Sequence, residues 1–498
     1  MFTSDVLIRA ERKYYLMNDK KIRGKSLVIN ASLNVIKQIC TLAFSLITFP
    51  YVSRVLGDVS YGKYSFAASI IEYLLIFSAS AGGAYAIREG ARIKGDKEKI
   101  RKFSSEIFSI GCLFTATAYI VLFLLIIFWQ KAYQYKDLLL ILALMLLATT
   151  IGVEWIFNIF EDFKNITIRQ IVVQGVGLVL TLILVHSNND ANLYAIATVV
   201  AMSGANLINF FVSRKYVKIS LTKSLNLKNH IKPIMMILFY SAMITVYSNA
   251  DIIMLGVMKN DSVVGAYSVS AKIYGIAKNI FIAALTVLLP RMSAYLGNNE
   301  LTKMKTIINK TLNILMIGLV PAIVLIIYFA KTIILIVAGK DYLQGTESLQ
   351  LLSIALLFAV ISSLLTTNIM IPNRQENKIT KIVTISALSN VILNYFLIPV
   401  YGASAAALTT VIAEMIVCIG AIIYTKGYIK ARKVLVMGFK ISLAAMVMLM
   451  ILIAISALII NHIIELFVGA FVSCAVYCLC LGLLNINIMR NNSGRFHF

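Results

Sequence analysis

Apolar runs of about 20 residues recur from residue 27 to residue 485, separated by short clusters of charged and turn-forming residues. Each run is long enough to cross the roughly 30 Å hydrocarbon core of a bilayer as a helix. A spanning segment must satisfy its own backbone hydrogen bonds, and the alternating pattern of a barrel strand is absent, so the runs read as helices. The pattern predicts about fourteen spans, with rough limits 27–53, 61–86, 104–128, 137–158, 166–186, 191–213, 232–258, 262–289, 311–337, 347–372, 379–399, 402–425, 435–460 and 463–485. Signals such as "GKDY" at 339–342 and "IPNRQENK" at 371–378 close spans sharply. In the ninth run, Pro321 and Lys331 predict a division into a span and a short second helix.

Two stretches repeat. "GKYSFAASI" at 62–70 and "GAYSVSAKI" at 265–273 share Gly, Tyr, Ser, Ala and Ile at the same places, and each joins an odd span to an even one. "NITIRQIVVQ" (165–174) is echoed by "NKITKIVTIS" (377–386), and "ATVVA" (197–201) by "TTVIA" (409–413). Six spans separate the copies, so both cross the membrane in the same direction. That describes two parallel six-helix lobes related by a pseudo-twofold axis along the membrane normal. The fold class is therefore all-α: a polytopic membrane protein with two pseudo-symmetric six-helix lobes plus two C-terminal helices. Its parts are an N-terminal arm (1–26), a first lobe (27–213), a linker (214–231), a second lobe (232–425), two additional helices (435–485) and a tail (486–498). The shared Gly-x-Tyr-Ser is read as serving the turn and close helix packing.

Composition agrees. Of 498 residues, 60% are hydrophobic and 14% charged, and the mean hydropathy is +0.86, whereas a soluble domain is about one quarter charged. Most of the 46 Lys and Arg lie in the N-terminal arm, in the loops after even spans and in the tail. The opposite side holds only Arg54, Lys63, Lys131, Lys136, Lys259, Lys331 and Lys340. The positive-inside rule then makes both termini cytoplasmic, as an even number of spans requires. The net charge of +24 is dispersed over short loops and forms no basic domain, which excludes nucleic acid as a partner and leaves membrane lipids.

Familiar chemistry is scarce. Cys40, Cys112, Cys418, Cys474, Cys478 and Cys480 all lie in apolar spans without zinc-ligand partners, and His186, His230, His462 and His497 are scattered, so no metal site is expected. "GKS" at 24–26 lacks the earlier glycine and the strand of a phosphate-binding loop. The loops leave little room for a catalytic domain. These features point to a transporter and not an enzyme, with no catalytic residue to name.

The stretches "LITFPYVSRVLGDVSYGKYSFAASI" (46–70), "AYAIREGAR" (84–92), "EWIFNIFEDFKNITIRQI" (154–171), "NADIIMLG" (249–256) and "LNYFLIPVYGASAAALTTVIAE" (393–414) resemble the oligosaccharide flippases. These polysaccharide repeat-unit exporters belong to the multidrug/oligosaccharidyl-lipid/polysaccharide exporter superfamily. The resemblance covers roughly residues 27–485. It implies fourteen helices in two lobes, alternating access, and transfer of an undecaprenyl-diphosphate-linked oligosaccharide across the bacterial cytoplasmic membrane without ATP. It implies no cofactor beyond Na+ or H+ as a coupling ion, and polysaccharide polymerase machinery as a further partner. Alternatives are a multidrug/cation antiporter of the same superfamily, disfavoured by the positive groups on the path, and a membrane polysaccharide polymerase, which would need a carboxylate cluster outside the bilayer.

A diphosphate crossing hydrocarbon requires a wet, positively charged path. Arg88 in "YAIRE" and Arg291 in "LLPRM" each end an even span in corresponding positions. They are candidates to fork the diphosphate at the cytoplasmic mouth, or are plain interfacial anchors. Lys37, Lys272 and Lys278 lie inside spans and are candidates for a central cavity; Lys37 also reads as a snorkelling structural lysine. Lys272 fits either a cavity that receives phosphate or sugar oxygens, or a pair with Asp251. Lys278 is turned about 120° from it on an ideal helix and serves another place. Glu72, Asp251 and Glu414 are candidates for ion coupling, against the alternative of satisfied buried hydrogen bonds. Tyr247, Tyr267 and Tyr274, with Tyr240, are candidates for stacking on sugar rings, against helix packing.

Overall fold

The computed structural model describes residues 3–222, 226–459 and 461–484, which are almost entirely helical, with no strand among them. The tail expected at 486–498 lies outside the described residues, as do 223–225 of the linker. In chain order the helices are α1 (Thr3–Ser80), α2 (Ala84–Ile93), α3 (Lys97–Phe128), α4 (Gln130–Gln134), α5 (Lys136–Gly152), α6 (Glu154–Ile159), α7 (Phe163–Leu184), α8 (Ala191–Ser213) and α9 (Leu227–Met258). They continue as α10 (Asp261–Thr286), α11 (Leu289–Gly297), α12 (Leu301–Tyr328), α13 (Ala330–Val337), α14 (Thr346–Leu365), α15 (Glu376–Tyr401), α16 (Ala403–Thr425), α17 (Ala431–Ser456) and α18 (His462–Leu483).

Among the described residues, 13 helical stretches are long and apolar enough to cross a membrane. The first, Ile36–Ile93, has 58 residues, about 87 Å at 1.5 Å per residue, far more than one crossing needs. Gly57 divides it: at φ 69° and ψ 174° its backbone leaves the helical region, a conformation glycine adopts without steric cost. The stretch supplies two crossings, which brings the count to the fourteen that the hydropathy pattern predicts.

Several spans are broken inside. Ala81–Gly83 separate α1 from α2, and Val153 separates α5 from α6. Val287 and Leu288 separate α10 from α11, where Pro290 stands in the first turn. The ninth run divides as expected, although Pro321 is carried inside α12 and the break falls at Phe329. A π-helical turn at Thr366–Met370 follows α14.

The chain forms two compact units. The first contains Met1–Thr48, Leu74–Leu184 and Leu193–Leu238. Its core gathers Ala86, Phe103, Ile107, Trp155, Ile156 and Ile234 around the α2–α3–α6 corner. Ser105 and Ser109, both buried on α3, accept hydrogen bonds from the backbone N–H groups of Ser220 and Thr222 at 3.2 and 3.0 Å. They tie the linker to this core. Tyr216 on the same linker donates to Asp162 at 2.6 Å; burial, aided by that bond, pushes its phenol up to about 12.

The second unit contains Phe49–Tyr73, Val185–Asn192 and Phe239–Phe498. Its cores are built on α10, α12 and α14 (Leu285, Leu312, Leu319, Leu356), on α12, α15 and α16 (Ile308, Ile379, Ile382, Val417), and on α17 and α18 (Ile441, Met448, Tyr477). Both copies of the repeated phrase lie here, and they cross each other. A Cβ on Gly62 would overlap the carbonyl oxygen of Asp261, and one on Gly265 would overlap that of Asp58. Only two glycines let the backbones approach so closely. Ser262 hydrogen-bonds Asp58 beside the crossing, and Gln344 donates to Ser262 at 2.6 Å. The phrase is repeated because each copy supplies one half of this contact.

Candidate functional site

In the first unit, the two broken spans line one cavity of about 220 Å³. Gly82 stands at one break; Thr149, Thr150, Glu154, Trp155 and Asn158 flank the other. Gly82 is needed for packing, since a Cβ there would overlap the Trp155 indole. Val153 has φ 39° and ψ 39°. A β-branched residue in the left-handed region is a genuine outlier that costs on the order of 1–3 kcal/mol. It persists because Val153, 1% exposed, is locked in the core. Non-helical backbone at membrane depth is tolerated where it lines a cavity or is buried in protein; Ala81 and Gly82 line this one, and Val153 is buried next to its wall residue Glu154.

The polar groups on the wall are unevenly used. Lys37 Nζ reaches Glu154 Oε1 at 3.1 Å. Thr115 donates to Ser78 at 3.2 Å and shares a short contact with the Thr150 hydroxyl. Asn158 and Trp155 have no side-chain hydrogen bond among the described residues.

In the second unit, Asp251 is 4% exposed and has three neutral donors. Tyr267 OH and Thr410 Oγ1 donate to Oδ2, and Asn394 Nδ2 to Oδ1, all at 2.5 Å. Asn394 also bonds Asn390 Oδ1 at 3.1 Å and accepts from Thr409 at 2.5 Å. The network joins α9, α10, α15 and α16. Near it, Glu72 accepts from Asn249 at 2.7 Å, and Lys272, like Glu72, is exposed. A separate cluster holds Glu414, 2% exposed, which takes Lys278 Nζ at 2.7 Å and Tyr274 OH at 2.9 Å. Lys278 also lies 5.9 and 5.5 Å from the ring centroids of Tyr247 and Tyr274.

These positions sort the residues singled out from the sequence. Asp251 bonds Tyr267, Thr410 and Asn394, and the pairing of Lys272 with Asp251 is not what the structure shows. Lys278 pairs with Glu414, and Lys272 does not share that carboxylate. Tyr267, at 2% exposure, offers no ring face to a sugar here, because its hydroxyl is drawn inward to Asp251. Tyr247 and Tyr274 remain partly exposed beside Lys278. Arg88 lies on α2 in the first unit, exposed, 3.2 Å from Glu89, which Arg92 also bridges at 3.1 Å. Arg291 lies exposed on α11 in the second unit. Each arginine sits on a short helix just after a broken span, the same place in its half of the chain.

Sequence reasoning missed three groupings. Asn394, Thr409 and Thr410 lie within a quoted motif, but nothing at their spacing says which carboxylate they serve. Trp155 and Asn158 read as part of an apolar span because the break at Val153 has no turn residue except Gly152 before it. His230 joins Tyr85 OH at 2.7 Å and Glu106 Oε2 at 2.9 Å in a buried triad, assembled from three distant segments.

The polysaccharide biosynthesis protein family matches residues 27–296, more than half of the chain, and the MatE family matches 237–400. A protein of Shigella dysenteriae named as a putative O-antigen transporter is 22% identical over 379 residues, 75% of this chain and 93% of its own length. One of the same name from Escherichia coli K12 is 24% identical over 383 residues, 75% of this chain and 90% of its own. Among solved structures, the lipid II flippase MurJ in an inward closed conformation superposes with a TM-score of 0.74 at 17% identity, covering 93% of this chain and 100% of that one. An inward-facing multidrug resistance transporter of the MATE family gives 0.60 at 13% identity, over 80% and 99%. The chain therefore belongs to the polysaccharide biosynthesis protein family, the oligosaccharide flippases of the multidrug/oligosaccharidyl-lipid/polysaccharide exporter superfamily.

Proposed function

We infer that the protein is a flippase that carries an undecaprenyl-diphosphate-linked oligosaccharide across the bacterial cytoplasmic membrane by alternating access, with both termini cytoplasmic and an ion gradient as the driving force. The observation that carries this reading is the family match over residues 27–296, supported by relatives named as O-antigen transporters that the chain follows over most of their length. The buried charges give it a mechanism. Asp251 has neutral oxygen and nitrogen partners and no cation among its hydrogen-bond partners. A single carboxylate in that setting suits a proton or a monovalent hard cation such as Na+; a divalent ion would call for more carboxylates. Occupation of Asp251 would neutralise the charge that organises α9, α10, α15 and α16, so it would bias their packing between two arrangements. Arg88 and Arg291, exposed on short helices, would receive the diphosphate as planar donors.

The test is reconstitution in liposomes with fluorescent undecaprenyl-diphosphate oligosaccharide and an imposed Na+ or proton gradient. Wild type delivers label to the opposite leaflet, and one gradient accelerates delivery. Asp251→Asn abolishes that acceleration, and the Arg88→Ala, Arg291→Ala double variant slows transfer at least tenfold. Absence of transfer by the wild type overturns the reading. The MatE match over 237–400 favours a second reading, a cation antiporter. Saturable uptake of a cationic dye, with no transfer of the glycolipid, would establish that one instead.

A further inference from the structure

We propose that the cavity of the first unit, between Gly82 and Asn158, is a subsite for a single neutral sugar ring of the transported glycan. This inference rests on the flippase reading and adds to it a place and a chemical class. Two helix breaks border the same space: Ala81 and Gly82 line it at the first, and Glu154, next to the buried Val153, lines it at the second. Discontinuous membrane helices meet at binding sites because the interrupted turns leave backbone groups free to pair with a ligand. The break at Val153 is held in a disfavoured conformation, and such strain clusters at ligand clamps.

The wall selects among the three parts of a lipid-linked oligosaccharide. A diphosphate is excluded: Glu154 contributes a carboxylate, and Lys37, the cation beside it, is already matched by that carboxylate at 3.1 Å. Among the residues that line the cavity there is no lysine or arginine. The wall thus has no surplus positive charge to offer. A polyprenyl chain is excluded by the polar groups it would desolvate without compensation. A sugar hydroxyl both donates and accepts, and the wall presents both kinds of partner. The second oxygen of Glu154 accepts, the Trp155 indole N–H donates, and the Asn158 amide and Thr149 hydroxyl do both. Trp155 lines the cavity with most of its surface packed in the core. The volume, about 220 Å³, lies below the roughly 300 Å³ at which drug-sized sites begin. It admits one ring and not a repeat unit.

Trp155 also provides the readout, because the chain has only 2 tryptophans. In full-length Trp129→Phe protein in nanodiscs, Trp155 emission is followed during three titrations: undecaprenyl diphosphate bearing one N-acetylhexosamine, undecaprenyl diphosphate alone, and methyl N-acetylglucosaminide at tens of millimolar. The sugar-bearing lipid and the free glycoside are expected to give a saturable change, and the bare lipid none. Asn158→Ala and, separately, Thr149→Val should each weaken the response to the sugar-bearing lipid at least tenfold, with unfolding temperature and gel-filtration profile checked for both. Equal responses to the sugar-bearing and bare lipids, no response to either sugar, or unchanged affinity in both folded variants would overturn the proposal. The outcomes separate from those of the transport assay. Transfer of label without a Trp155 response removes the subsite and leaves the flippase, whereas a Trp155 response without transfer does the reverse.

Discussion

Among the described residues, each unit holds one lysine–glutamate ion pair in hydrogen-bond contact within its spanning helices, and the two pairs live in different surroundings. Lys37–Glu154 borders a polar cavity, with side chains 28% and 42% exposed. In Lys278–Glu414 the carboxylate is 3% exposed, and Tyr274 occupies the same oxygen as the ammonium. The first pair can exchange partners with water or a ligand. The second is a fixed part of the packing between α10 and α16. Identical chemistry is therefore available for binding in one unit and committed to structure in the other. What differs is the backbone: a span interrupted at Val153 admits polar space, while α10 stays continuous through Lys278.

The largest effect should come from the enclosed pair. Lys278→Met leaves Glu414 without a counter-charge and should destabilise the protein by about 2–3 kcal/mol in a detergent unfolding titration, at or below the lower end for breaking a buried pair because a carboxylate can take up a proton instead. Adding Glu414→Gln should recover most of that loss; no recovery would mean that Lys278 acts through packing alone. Next comes Asn394→Leu, which strips Asp251 of one donor. Buried interhelical hydrogen bonds in membranes reach about 1.7 kcal/mol at most, and a charged acceptor should place this variant near that limit in the same titration. The smallest effect belongs to Lys37→Met, where the half-open pair is worth less than about 1 kcal/mol. A loss as large as that of Lys278→Met would erase the contrast between the two pairs.

Hydropathy made the fourteen crossings legible, because a helix that spans hydrocarbon must announce itself over some twenty residues. The repeated phrase marked two segments that meet, and Gly62 and Gly265 prove to be the residues at their contact. Breaks inside spans were harder to read. The Gly82–Gly83 pair is a signal that composition alone offers, but Val153 resists reading, since a β-branched residue argues locally for anything except a left-handed turn. Its conformation is imposed by the core around Ile156 and Trp155. The partners of buried charges were legible only in part. Depth along a helix follows from counting residues, which brought Asp251 and Lys272 level, whereas azimuth depends on packing, which gave Asp251 to Tyr267, Thr410 and Asn394 and not to Lys272.

The crossing of residues 58–62 with 261–265 has a mechanical corollary. Because two peptide planes meet there with no side chain interposed, the joint works as a bare bearing: it can slide or part as a whole, but no rotamer change can loosen it by degrees. A methyl group at either glycine would act as grit in that bearing, jamming or prising apart both arms at once and leaving every distant charge in place.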